Sequence, residues 1–126
     1  MIMYKLKKEL QSELTENILP FWLNKMVDEH NGGFLGRIDG NGNPIPTAEK
    51  GAVLNARILW AFAAAYRVLH KSEYLEGAIR AKDYFISHFI DKQEGGVFWS
   101  LDAKGNILDS KKQTYAIGFA IYGLSE

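Results

Sequence analysis

Arg57 stands nearly alone in the run GAVLNARILWAFAAAYRVL, where the charged residues between Ala52 and Leu69 are Arg57 and Arg67. A guanidinium left unpaired in apolar surroundings costs several kcal/mol, so Arg57 must have an answering group. Two answers fit. One is a buried ion pair with a carboxylate such as Glu49. The other is a polar cavity bordered by the helix, in which Arg57 meets substrate oxygens. Tyr115 holds the matching place in a second apolar run, KQTYAIGFAIYGL, one turn in from Lys111 and Lys112. It is either a core tyrosine with its hydroxyl satisfied at the rim, or a phenol facing the same cavity.

Other residues invite chemistry that their spacing does not support. A calcium loop beginning at Asp39 places Asn41 and Asn43 at its third and fifth positions, but Pro44 falls where glycine is needed and Lys50 where glutamate is needed. No GxxxxGK[ST] or strand-borne GxGxxG is present to hold phosphate. Asp39-Gly40-Asn41-Gly42-Asn43 therefore reads as a tight turn, because glycine and asparagine tolerate positive φ. His30, His70 and His88 show neither HxxxH nor HExxH spacing, and a structural role is expected for each rather than a metal site. Trp22 and Trp60 lie at helical core spacing and read as packing residues. Trp99, in a glycine-rich segment, is the freest to stack on a sugar face.

Composition narrows the classes further. Fifteen basic residues balance fifteen acidic ones in a chain of 126, which argues against a nucleic-acid partner or an anionic membrane surface. With no cysteine there is no disulfide framework and no thiolate metal site. MIMYKLKKELQSEL lacks the apolar segment of a signal peptide, so a cytoplasmic location is the expectation.

The elements that must position Arg57 and Tyr115 are helices. Leu6, Leu10, Leu14, Ile18, Trp22 and Met26 recur every four residues and predict an amphipathic helix over 4–28, kinked at Pro20 or broken just before it. Residues 48–70 predict a helix enclosed by protein, residues 73–90 an amphipathic one, and residues 112–124 a second enclosed one. A Gly-Gly segment separates the members of each pair. Gly32, Gly33, Asp39, Gly42 and Asn43 recur as Gly95, Gly96, Asp102, Gly105 and Asn106, all 63 residues later.

The chain is thus expected to hold two units, about 1–70 and 71–126, each an outer helix, a β-like excursion and an inner helix. Two such pairs leave the inner helices uncovered, and about three repeats are normally needed for a stable array. The chain reads as the front part of a larger repeat protein, or as one that completes its core with partners.

GGFLGRIDGNG followed by EKGAVLNARILWAFAAAYR, and later GGVFWSLDAKGNILDSKKQTYAIGFAIYGLSE, resembles the N-terminal part of the cellobiose 2-epimerases, within the N-acylglucosamine 2-epimerase superfamily. The resemblance covers essentially the whole chain. It implies an all-α fold, a fragment of an (α/α)6 barrel, as a single partial domain over 1–126. It also implies epimerisation at C2 of the reducing-end glucose unit of β-1,4-linked disaccharides such as cellobiose or lactose, without metal or nucleotide cofactor. In that family one histidine removes the C2 proton, an enediolate forms, and a second histidine returns a proton to the other face. Arg57 matches the arginine that stabilises the enediolate and binds substrate oxygens, and Tyr115 matches a tyrosine of the sugar pocket.

The catalytic histidines, their glutamate partner and the stacking tryptophans of that family lie on later helices, and no residue here matches them. Six pairs at this spacing need roughly 380 residues. The expectation is a catalytically deficient fragment, lacking the remaining barrel helices or compensating by self-association. Rival expectations are a non-catalytic interaction module, or a related activity such as N-acylglucosamine epimerisation or mannose isomerisation.

Overall fold

The computed structural model describes residues 1–126. α1 (Ile2–Glu13), a π-helical turn over Leu14–Ile18 and α2 (Leu19–Lys25) form one rod. The disturbance expected at Pro20 is this π turn, which leaves the proline in the first turn of α2, where its missing N–H does no harm. Burial along the rod is uneven. No side chain of α1 is buried and Leu10 is 62 % exposed, whereas Leu19 and Met26 are enclosed. The apolar stripe predicted for the whole helix meets the core only in its second half.

α3 (Ala52–Leu69) is the central element. Ile58, Leu59, Phe62 and Ala65 join Leu19, Phe34, Tyr74 and Ala78 in one core cluster, and Phe34 stacks on Phe62 at 5.9 Å. Ala52 and Ala56 join Phe85, Phe89, Leu101, Ala116 and Ala120 in a second. The helix ends at His70, which takes the left-handed conformation (φ 55°) that closes many helices. α4 (Ser72–Tyr84), extended by a π turn over Phe85–Phe89, returns antiparallel along it, as the short connection requires.

α5 (Thr114–Ser125) packs on α3 through small residues. A Cβ placed on Gly123 would lie 2.5 Å from the Ala56 carbonyl oxygen, so the two backbones touch. Arg67 near the end of α3 pairs with Glu126. α3 is long and apolar enough to span a membrane, and its packing against α4 and α5 accounts for much of that composition.

The two inner helices are not enclosed on all sides, contrary to the reading of their composition. Tyr115, Ile121, Tyr122 and Leu124 of α5 and Val68 of α3 are exposed, because both helices have one flank with nothing packed on it.

The excursions keep the register expected for a repeat. Gly32, Gly33 and Gly42 have positive φ, and so do Gly95, Gly96 and Gly105. The excursions also share one antiparallel sheet of three strands: β1 (Lys50–Gly51), β2 (Ser100–Leu101) and β3 (Ile107–Asp109). Lys50 pairs with Leu101 and Gly51 with Ser100, so the entrance to α3 is held by the second excursion. β2 and β3 pair with a bulge at Ser100/Leu101.

Candidate functional site

The acid–amide turns are built from their own backbone. Asp39 Oδ1 accepts the N–H groups of Asn41 and Asn43 at 2.9 and 2.8 Å, and its Oδ2 accepts Asn43 Nδ2 at 3.3 Å. Asp102 does the same with Lys104, Asn106 and Asn106 Nδ2. These bonds hold both carboxyls below the usual range: for Asp39 the Asn43 N–H leads, for Asp102 the Asn106 side chain. Both oxygens serve to close a turn.

Sequence reasoning missed a pair of lysine clamps. Lys50, fully buried, donates to Asp28 Oδ2 at 2.8 Å and to the Gly32 carbonyl at 2.9 Å, and lies 4.7 Å from the centre of the Tyr84 ring. Burial pushes the Asp28 carboxyl up, but Lys50 and the Asn31 N–H outweigh it and leave it lowered. Arg80 completes the clamp by donating to the Gly33 and Asp28 carbonyls at 2.8 and 2.6 Å. The second unit repeats the device: Lys112 donates to Asp91 Oδ2 at 2.6 Å and to the Gly95 carbonyl at 2.8 Å. The signal was present, since Asp28 and Asp91 share the 63-residue offset of the five recognised identities. The lysines lie at 62 and slip out of that register. Each clamp pins a Gly-Gly loop against the segment entering an inner helix.

That entry decides where Arg57 goes. Starting at Ala52, α3 turns Ala56 and Ile58 into the core and Arg57 into an open groove of about 1830 Å3 between α1, α3 and α5. Seventeen of its 22 lining residues are hydrophobic. Arg57 is solvent-exposed, and no carboxylate of the chain pairs with it. The ion pair with Glu49 offered as one reading is absent because the charge never enters the core and needs no buried partner. Its guanidinium carbon lies instead 5.8 Å from the centre of the Phe119 ring.

Tyr115 lines the same groove and is 65 % exposed, so it is not a core tyrosine. It meets Phe119 edge-on at 5.0 Å. Trp60, read from its spacing as packing, also lines the groove and stacks on Tyr122 at 4.9 Å with the planes 10° apart. Trp22 is half-buried on the opposite wall. Trp99, expected to be the freest of the three, has the Lys111 ammonium 4.9 Å from its ring centre.

The histidines are dispersed. His30 is exposed, His70 caps α3, and His88 stacks on Tyr84 at 4.1 Å with Nδ1 3.2 Å from the Tyr84 carbonyl. The groove thus brings together two cations with no carboxylate partner, Lys7 and Arg57, two phenols, Tyr115 and Tyr122, and a bank of aromatic rings. That set can hold oxygens and stack on a sugar ring, and the groove holds no histidine to move a proton from carbon.

Residues 33–126 match the family model described as N-acylglucosamine 2-epimerase (GlcNAc 2-epimerase). A cellobiose 2-epimerase of Bacteroides fragilis is 62% identical over 121 residues, which cover 96% of this chain and 31% of that protein. The solved structure of a cellobiose 2-epimerase from Bacillus thermoamylovorans matches with a TM-score of 0.93 at 40% identity, over 97% of this chain and 31% of its own. A D-mannose isomerase structure matches with a TM-score of 0.83 at 27% identity, over 94% of this chain and 29% of its own. The chain therefore spans about a third of the length of the relatives it matches. Its helices correspond to part of an (α/α)6 barrel.

Proposed function

The chain belongs to the N-acylglucosamine 2-epimerase family, and from that premise we propose that its groove is one wall of a pocket for C2 epimerisation at the reducing-end glucose of a β-1,4-linked disaccharide. Arg57 carries the reading. It is a full positive charge in an apolar groove, held by a ring rather than by a carboxylate, with its N–H donors left for substrate oxygens.

Removal of the C2 proton from the opened sugar makes an enediolate. A fixed guanidinium stabilises its developing oxyanion more than it stabilises the neutral substrate, which is what lowers a barrier. Return of a proton to the opposite face of C2 completes the glucose-to-mannose exchange. Tyr115 contributes a hydroxyl on the same wall for sugar oxygens, and Trp60 a ring face. Both proton-transfer groups come from outside this chain in this reading, because His30, His70 and His88 lie apart from the groove. The two helix pairs, about 1–70 and 71–126, are proposed as two of six, the others completing the pocket.

The purified 126-residue chain is expected not to epimerise cellobiose, and epimerisation by it alone would refute the missing-base reading. A hybrid in which this chain replaces the matching third of the Bacteroides fragilis enzyme is expected to be active. Arg57→Ala in that hybrid should lower kcat by roughly a hundredfold or more. Near-unchanged turnover would sink the role of Arg57. Mannose isomerisation is the second reading, favoured by the match to a D-mannose isomerase but at 27% identity against 40%. Product analysis separates them: a mannose-ended disaccharide for epimerisation, fructose for isomerisation.

A further inference from the structure

Arg57 is borne on α3, yet what touches its charge is borne on α5. Its guanidinium lies over Phe119, 5.8 Å from the ring centre. Phe119 is half-buried and has little freedom of its own, wedged edge-on between Tyr115 at 5.0 Å and Tyr122 at 6.1 Å. Tyr122 in turn is stacked on Trp60, three residues along α3 from Arg57. Tyr115, Phe119 and Tyr122 follow i, i+4, i+7 spacing, so they form one aromatic stripe along α5.

We propose that Phe119 is the positioning residue of Arg57, fixing the guanidinium in the sugar groove without neutralising it. This rests on the role given to Arg57 above. A carboxylate in the place of Phe119 would hold the guanidinium more tightly, but would consume two of its donors and cancel the charge an enediolate needs. A ring face attracts the cation through its quadrupole and leaves the N–H donors in the guanidinium plane unspent. The ring also removes the rotamer freedom of a long, exposed side chain before substrate arrives, so less ordering cost remains at the reacting step. Phe119 acts only through Arg57 and needs no contact with the sugar.

The hybrid enzyme described above tests this through kinetics in two backgrounds. Phe119→Leu, which keeps an apolar side chain but removes the ring face, is expected to lower kcat roughly three- to tenfold. Phe119→Tyr, which keeps the face, should restore most of it. In the Arg57→Ala background Phe119→Leu should cost nothing further in kcat. An equal loss from Phe119→Leu in both backgrounds would mean that the ring merely supports the fold, and would overturn the proposal while leaving Arg57 in its role. Arg57→Ala with full activity would instead overturn the role itself. If the hybrid is inactive, NMR of the 126-residue chain decides. The Arg57 side-chain resonances should carry a ring-current shift that Phe119→Leu removes and Phe119→Tyr keeps. Resonances that do not move would exclude the contact, and with it the proposal.

Discussion

The Lys50 ammonium lies 2.8 Å from the Asp28 carboxylate with both side chains closed off from solvent, whereas the matching Lys112–Asp91 pair stands at the surface. One device, used twice, therefore has two different energetic meanings. Lys50→Met leaves Asp28 buried and unpaired and is expected to cost about 3–5 kcal/mol. Lys112→Met leaves Asp91 in contact with water, and the loss should be much smaller. Urea titrations of the two variants measure the difference.

Acid should loosen both clamps in a defined window. Asp91 titrates at about 2, held down first by Lys112 and then by the Glu94 and Gln93 N–H groups, against an ordinary value of 3.8. A carboxyl lowered on folding adds stability that is complete above its unfolded pKa and disappears as pH falls through the folded one. The Tm advantage of wild type over Asp91→Asn should therefore be constant above about pH 5 and shrink steadily towards pH 2. An advantage that does not change across that window would refute the assignment.

Tyr84 should act at the other end of the scale. Burial pushes its phenol up to about 12, with the Asp28 and Asp102 carboxylates adding to the effect. A raised pKa contributes stability that is intact below the unfolded value near 10 and is lost as pH rises towards 12. The Tyr84 hydroxyl is buried without a hydrogen-bond partner. Tyr84→Phe is therefore expected to be neutral or to stabilise by about 1 kcal/mol, and to flatten the alkaline fall in Tm.

Gly36 and Gly123 should each reject even a methyl group. A Cβ on Gly36 would lie 1.8 Å from the Glu49 carbonyl oxygen, and one on Gly123 2.5 Å from that of Ala56. Backbone cannot step aside as a side-chain tip can, so either alanine variant should lose about 2 kcal/mol or more in thermal or urea unfolding. Gly40, which has nothing within 4 Å, is the control and should tolerate alanine.

Arg57→Ala should leave the melting temperature of the chain almost unchanged, within about 0.5 kcal/mol, because an exposed guanidinium over one ring supports little structure. A large stability loss would place Arg57 in the scaffold rather than in the groove.

Features governed by local rules were legible in the sequence. The positive-φ glycines and the Asp39 and Asp102 turns obey local backbone chemistry, so what recurs at 63 residues in the sequence recurs in the backbone. Of the four helical stretches, the two amphipathic ones followed from periodicity and the other two from long, nearly uncharged apolar runs. The direction of Arg57 did not, because composition gives the polarity of a helix and not which flank has a neighbour. Lys50 looked like an ordinary charge ahead of a helix. Its burial follows from Asp28 and Tyr84 closing over it, 22 and 34 residues away in sequence. The shared sheet was equally hidden, since strands of two or three residues carry no periodicity.

The pairing of β1 with β2 has a temporal consequence. Ala52 begins α3 by donating its N–H to the carbonyl of Trp99, 3.0 Å away, and Lys50 is in register with Leu101. During synthesis, therefore, the first helical hairpin emerges from the ribosome before the strand that fixes the start of its inner helix. Until residue 101 is free to pair, the start of α3 is held by the Lys50–Asp28 clamp alone and lacks the strand that β2 lays beside it. The two excursions are alike in plan, but the sheet that closes the first is completed only when the second arrives.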